Sequence, residues 1–251
     1  MNTNHAAAPR WAGWTAGLAA LLLASGCASV AHPDPRDPWE AYNRSMTEFN
    51  DTVDGAFIKP VATLYKAALP QPVRTGVGNF FGNLGDAWSF VNNVLQAKPE
   101  GALHSFWRVV VNTSIGIGGL FDPATEMRLE RHREDFGQTL GRWGVGPGPY
   151  LVLPILGPST LRDTVALPVD FYGRPQGQMH DVAARNSLIV LETIDTRARL
   201  LEVGRLLDQA ALDPYSFQRD AFLQKRQSDT QQGILPDEER YDLDLPAAPA
   251  K

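Results

Sequence analysis

Helical apolar periods, punctuated by proline, constrain this chain most, and no series of alternating strand segments joined by hairpin turns lies between them. Asp37-Pro38-Trp39-Glu40 places an acid at an N-cap, proline at the first helical position and glutamate at the third, the pattern of a capping box. Trp39, Tyr42, Met46, Phe49 and Val53 then recur at helical steps, giving one narrow apolar stripe with a polar face opposite. Pro60 is expected to open a second helix carrying Val61, Leu64, Tyr65 and Ala68, and Pro70 with Pro72 to break the chain before a third. The third, from Val73 to Leu95, keeps its period although Gly76, Gly78, Gly82 and Gly85 each cost about 1 kcal/mol against alanine. Gly78, Gly82 and Gly85 share one face, as small residues do where a helix or an acyl chain approaches closely; core packing alone explains the same arrangement. Pro99 opens a fourth helix with Leu103, Phe106, Trp107 and Val110, stopped by Gly116, Gly118 and Gly119. Those glycines follow a helix instead of a strand, and no Lys-Ser/Thr pair comes after them, so they are not read as a phosphate cradle.

From Phe136 to Gly157 the chain is dense in glycine, proline and large apolar residues, with Arg142 its one charge. No single regular helix fits it, and an irregular hairpin shielded by core or lipid is expected. Pro158 to Asp163 restarts a helix over Thr160 to Leu167, with Ser159 as its N-cap. Asn186 to Leu212 is the longest helical run, with Arg197, Arg199 and Arg205 on an outer face, and Asp213-Pro214 caps a last helix carrying Tyr215, Phe217 and Phe222. Residues 227–251 turn polar and acidic and are expected to be disordered. The fold class is all-α, with the Gly/Pro-rich segment as an irregular hairpin.

At the N-terminus an apolar run ends in Leu23-Ala24-Ser25-Gly26-Cys27, behind a short segment whose one basic residue is Arg10. The run is too short to span a hydrocarbon core about 30 Å thick and has the layout of a secretory signal with a lipobox. Residues 1–26 are therefore read as a lipoprotein signal peptide, Cys27 as the acylated first residue of the mature chain, and 27–36 as a tether. An ordinary cleaved signal with Cys27 as a spare thiol is the competing reading. Ala28 is not the aspartate that retains lipoproteins at the inner membrane in enteric-type bacteria, which directs the chain to the periplasmic leaflet of the outer membrane. Removing 26 of the 251 residues takes away only Arg10 among the charges and leaves 22 basic against 28 acidic side chains. That balance, without any basic run, excludes nucleic acid as a partner. With one cysteine, neither a disulfide framework nor a cysteine metal site is available, and no cofactor site is read from the sequence.

The sequence has no G-x-S-x-G elbow and no paired-histidine zinc motif. Its best catalytic combination is Ser159 with Asp163 and one of His104, His132 or His180, an acyl hydrolase whose serine the helix cap already explains. Asp135, Arg162 and Asp163 are expected to form an ion pair holding the glycine-rich segment to its neighbour.

Several motifs, in order, resemble the VacJ-like or MlaA lipoproteins: Asp37-Pro38-Trp39-Glu40 with Asn43-Arg44 and Phe49-Asn50; Asn79-Phe80-Phe81-Gly82-Asn83-Leu84; Asn112-Thr113 to Asp122; Asp135 to Gly141; and Gly144-Val145-Gly146 through Tyr150 to Arg162-Asp163. The resemblance runs from Asp37 to about Phe222 and leaves out Leu167 to Asp181 and the acidic tail. It implies a helical domain over 37–226, arranged as a ring around a central amphipathic channel at the outer membrane. It also implies removal of phospholipid misplaced in the outer leaflet, transfer to a soluble periplasmic carrier, MlaC, and association with a trimeric porin. The alternatives are a purely structural porin-associated lipoprotein and the acyl hydrolase. Under the resemblance, Phe49, Asn50, Asn79, Asn83, Gly141, Gly144, Gly146 and Tyr150 are the channel or gate candidates.

Overall fold

The structure is a computed structural model that describes residues 34–210 and 212–231. The signal peptide, Cys27 and the tail beyond residue 231 lie outside the described residues. In order come α1 (Glu40–Val53), a π-helical turn (Asp54–Ile58), α2 (Lys59–Ala68), α3 (Gln71–Leu95), α4 (Pro99–Ser114), α5 (Pro123–Glu126) and α6 (Phe136–Arg142). Strands β1 (Tyr150–Leu153) and β2 (Gly157–Thr160), α7 (Leu161–Gly173), a 3₁₀ turn (Pro175–Gln178), α8 (Val182–Ala210) and α9 (Pro214–Gln231) follow. Helix α3 packs along α4, α2 on α8, and α6 on α7.

The all-α expectation holds for the bulk of the chain, with one antiparallel hairpin as the exception. Its register pairs Tyr150 with Thr160 and Leu153 with Gly157, so Pro158 and Ser159 belong to a strand and do not restart a helix. The cap of α7 is Thr160, whose hydroxyl accepts from the Asp163 amide, and not Ser159. Two asparagines of α1, about two turns apart, grip the backbone of this hairpin. Asn43 donates to the Tyr150 carbonyl at 3.1 Å and accepts from the Val152 amide at 2.8 Å. Asn50 donates to the Leu153 carbonyl at 2.9 Å and accepts from the Ile155 amide at 2.7 Å. A carboxamide carries both a donor and an acceptor, which lets each helix residue stand in for a neighbouring strand.

Other expected boundaries moved for identifiable reasons. Helix α1 starts at Glu40 with Trp39 at the N-cap and no side-chain cap. Asp37 instead turns inward, accepting from Asn43 at 2.7 Å and from the Tyr215 hydroxyl. Pro60 does not open a separate helix, because helical backbone runs unbroken from α1 into α2. A proline ring presses on the carbonyl four residues back, and the widened turn at Asp54–Ile58, where the Lys59 amide reaches the Asp54 carbonyl, makes room for it. Helix α9 continues through 227–231, residues expected in the polar tail: Lys225 pairs with Asp229 and Thr230 bonds the Arg226 carbonyl at 2.8 Å.

Polarity is largely inverted relative to a soluble globule. The stripe of α1 faces outward at Trp39, Tyr42 and Phe49, while Glu40 and Asn43 are buried. The same holds for α3, which buries Asn83, Asp86, Ser89, Asn92 and Asn93, and for α4, which exposes Leu103 and Trp107 while burying Ser105, Arg108 and Asn112. Phe57 and Leu64 are 69% and 68% exposed, whereas Arg108 is 1% exposed. An apolar cluster survives where Tyr150, Val152 and Tyr215 meet Met46, Phe222 and Leu223.

Arg108 holds the polar side together. It donates to Asp86 at 3.0 Å, to both oxygens of Asp122 at 2.9 and 2.8 Å, and to the Leu129 carbonyl at 2.6 Å. Asp122 in turn caps α5 by accepting from the Thr125 amide. Truncating one member of a buried ion network strands the others, at about 3–5 kcal/mol. Arg108→Met is therefore expected to lower unfolding free energy by about that amount, with Asp86→Asn in the same chain recovering part of it; denaturant titration followed by tryptophan fluorescence measures both.

Candidate functional site

A polar cavity of about 340 Å³ lies against the glycine face of α3. Gly78, Gly82 and Gly85 form one wall, with Glu134 and Asp135 before α6, Gln176 of the 3₁₀ turn, Glu192 of α8 and Arg226 of α9 completing the enclosure. The close approach expected at this face is made at two of the three glycines, and by guanidinium, not by a helix backbone. A Cβ at Gly78 would lie 2.1 Å from Arg199 Nη1, and one at Gly82 would lie 2.7 Å from Arg131 Nη1. Gly85 borders open space. Arg199 is fixed there by buried Asp195 at 2.7 Å, whose other oxygen accepts from the Tyr65 hydroxyl at 3.0 Å. Burial and the adjacent Asp195 push the Tyr65 hydroxyl up to about 12.

A second cavity, of about 990 Å³, opens between the segment after α6 and the last turns of α9. Gly141, Gly144 and Gly146 line it, together with Arg162, Leu223 and Thr230. Gly141 is there because a Cβ would lie 2.5 Å from both Arg162 Nη1 and Thr230 Cγ2, and Gly144 because its φ is +96°.

Arg226 stands in the walls of both cavities. It donates to Asp135 at 2.6 and 2.7 Å and to Asp163 at 2.7 Å, and Arg162 donates to the other oxygen of Asp163 at 2.9 Å. The expected pairing of Arg162 with Asp163 is present, while Asp135 is tied in through Arg226, which the sequence reading missed. The partners lie 91 and 63 residues away, so no local spacing signals them. Burial alone would raise the Asp163 carboxyl, but Arg226 and Arg162 hold it below the usual carboxylate range. Burial works against the Arg226 charge as well, and its two carboxylates overcome that and raise its pKa.

The remaining candidates hold walls in place without lining either cavity. Asn79 donates to the Leu120 carbonyl at 3.1 Å and Asn83 to Thr113 at 3.0 Å, fixing the glycine turn after α4 onto α3. Phe49 is on the outer surface, Asn50 holds the hairpin, and Tyr150 is fully buried beside Tyr215 and Phe222. The residues of the acyl-hydrolase alternative are not brought together. Ser159 bonds the Thr160 carbonyl and Thr164, Asp163 is held by arginines, His104 and His132 bond each other at 3.2 Å, and His180 is exposed.

Residues 35–229 match the MlaA lipoprotein family. The chain belongs to that family. It is 39% identical over 221 residues to the intermembrane phospholipid transport system lipoprotein MlaA of Escherichia coli, covering 83% of this chain and 86% of that one. The Haemophilus influenzae protein of the same description is 34% identical over 232 residues, covering 88% and 91%. A solved chain from work on the structural basis for maintenance of bacterial outer membrane lipid asymmetry superposes with a TM-score of 0.68 at 37% identity, covering 77% of this chain and 98% of that one.

Losing Arg226 leaves buried Asp163 and partly exposed Asp135 without their shared cation, so Arg226→Leu is expected to cost about 2–4 kcal/mol at neutral pH, toward the lower side of a buried pair because Asp135 reaches solvent. A carboxylate held low in the fold stabilises it above the unfolded value of about 4, and that contribution disappears as pH falls through the folded value. Burial pushes Asp122 upward as well, and bonds from Thr125, Asn112 and Arg108 outweigh it to hold the carboxyl low. Melting temperature of the native chain should therefore fall as pH drops below about 4, and the fall should be shallower in Arg226→Leu, which has already lost the Arg226 part of the Asp163 contribution.

Proposed function

We propose that this chain is an outer-membrane lipoprotein that takes up phospholipid mislocalised in the outer leaflet and passes it across its polar interior to a periplasmic carrier, so maintaining lipid asymmetry. The observation that carries the reading is the inverted polarity: buried asparagines, aspartates and arginines inside, and exposed phenylalanine, leucine, isoleucine and tryptophan outside. Large exposed apolar surface belongs beside acyl chains or a partner protein. Among the described residues no helix is long and apolar enough to cross a membrane, which fits a protein seated in one leaflet. Its relatives carry the name of an intermembrane phospholipid transport system.

The finer parts of the reading are ours as well. Cys27 is the acylated anchor in the periplasmic leaflet, an MlaC-like protein is the acceptor, and a trimeric porin is the neighbour in the membrane. Passage is controlled at the segment Phe136 to Gly157. Because Asn43 and Asn50 tie β1 to α1, the hairpin itself is held, and the gate falls to the stretch between Trp143, bonded to the Leu95 carbonyl, and Pro149, bonded by the Leu161 amide, which borders the second cavity. Its glycines supply open torsions and its prolines confine where bending occurs.

The decisive experiment purifies the chain from membranes and asks for bound phospholipid and its release to the carrier. Phospholipid is expected at about one to a few per chain, on the scale of small-ligand cavities; its absence would leave a purely structural role. Mass spectrometry should find an acylated Cys27 at the mature N-terminus. Joining cysteines introduced at Val145 and Gln227 with a reducible linker should stop lipid transfer until reductant is added, whereas unchanged transfer would show a static loop.

A further inference from the structure

We propose that the cavity against α3 selects phospholipids whose headgroup ends in a primary ammonium, with Gln176 and Glu192 accepting from the ammonium and Arg133 meeting the phosphodiester. This rests on the lipid-transport reading and adds a substrate preference to it. Gln176 is the starting point: it is 5% exposed, stands in the cavity wall, and donates from Nε2 to Glu192 Oε2 at 3.1 Å. A carboxylate accepts only, so this bond orients the amide, and the Gln176 carbonyl is left with no donor among the described residues. Burying an unsatisfied carbonyl is unfavourable, and a donor arriving through the cavity relieves it.

The position of Gln176 is fixed by its neighbour. A Cβ at Gly177 would lie 1.8 Å from the Phe171 carbonyl oxygen, so only glycine allows the 3₁₀ turn to press this closely on α7. Helix α7 is in turn fastened to the cavity wall, since Asp170 accepts from Trp88 at 2.7 Å and Gly173 packs on the Trp88 ring. Glu192 supplies the charge that a neutral amide lacks. Its cation, Arg174, is half-exposed and stands off at 3.6 Å, a loose contact in reach of water. Arg133 also lines the cavity and has no partner among the described residues.

Two acceptors, one anionic, and an uncommitted guanidinium in one small volume match a zwitterion. A primary ammonium has three N–H donors and satisfies Gln176 and Glu192 together. A trimethylammonium has none and leaves the carbonyl unpaired, while a glycerol headgroup offers hydroxyl donors but no positive charge for Glu192.

The full acylated chain in detergent micelles is equilibrated with vesicles of equal parts phosphatidylethanolamine, phosphatidylcholine and phosphatidylglycerol, and the retained lipid is measured by mass spectrometry. Retention of phosphatidylethanolamine over phosphatidylcholine should be about tenfold, the worth of one charge-assisted hydrogen bond. Gln176→Met and Glu192→Gln should each bring the ratio toward one with total lipid unchanged, and the second variant, at a partly exposed position, keeps the test valid if the first does not fold. Equal retention by the native chain, or native ratios in both variants, overturns the inference. A native chain retaining no lipid at all instead defeats the transport reading beneath it. Soluble glycerophosphoethanolamine at matched concentration should displace little lipid; displacement as effective as by the phospholipid would show that the site reads a free headgroup and overturn the lipid assignment.

Discussion

A chain that turns its large apolar side chains outward has to satisfy its charges internally, and here that work falls on buried arginines. Arg108 gathers Asp86, Asp122 and the Leu129 carbonyl, and Arg226 gathers Asp135 and Asp163. Guanidinium suits the role because its planar fork engages two acceptors at once and stays charged when buried. Each arginine also joins elements distant in sequence: Arg108 ties α4 to α3 and to the cap of α5, and Arg226 ties α9 to the starts of α6 and α7. Hydrophobic burial, which organises a soluble domain, gathers here in the small cluster around Tyr150, Val152 and Tyr215, with Phe81 and Val111 buried apart from it.

Glycine is the counterpart of arginine in this arrangement. Guanidinium groups lie flat against α3 only because Gly78 and Gly82 have no side chain, and Asp163 and Arg226 reach α6 across Gly137, where a Cβ would lie 2.4 Å from Asp163 Oδ1. Helix propensity is given up at these positions to bring charge against backbone. The result is a thin wall between helices whose inner face is polar, a geometry that suits passage of a headgroup better than storage of a hydrocarbon.

The helical segments were legible because their apolar period is strong, even though it marks the exposed side and not a core. Periodicity reports that one face differs from the other; it does not say which one meets water. The boundaries that moved did so where a tertiary partner or a widened turn outranked a local rule. Asp37 forgoes its cap for Asn43 and Tyr215, Pro60 is absorbed by a widened turn, and Pro158-Ser159 pairs with β1 before the cap at Thr160. In the site, Gly141, Gly144 and Gly146 were found through their composition, while Arg226 and Gln176 were not, since a lone arginine or glutamine on a polar surface pattern has no signature until its distant partners are known.

The two cavities meet at Arg226, and this has a mechanical consequence. With Asp135 at the start of α6 and Asp163 at the start of α7 on the same guanidinium, any displacement of α9 that opens the second cavity pulls on both helix starts at once. Both residues also serve their own helices, Asp135 through its carboxylate as the α6 cap and Asp163 through its backbone amide, which donates to the Thr160 hydroxyl capping α7. Moving α9 alone would strand a buried charge, whereas the stretch from Trp143 to Pro149 carries no ionised side chain, so the gate proposed above would turn there without loss of an ion pair. In the passage proposed above, the charged walls would keep their shape while a headgroup is desolvated, and the one uncharged, glycine-rich border would yield to admit the chains behind it.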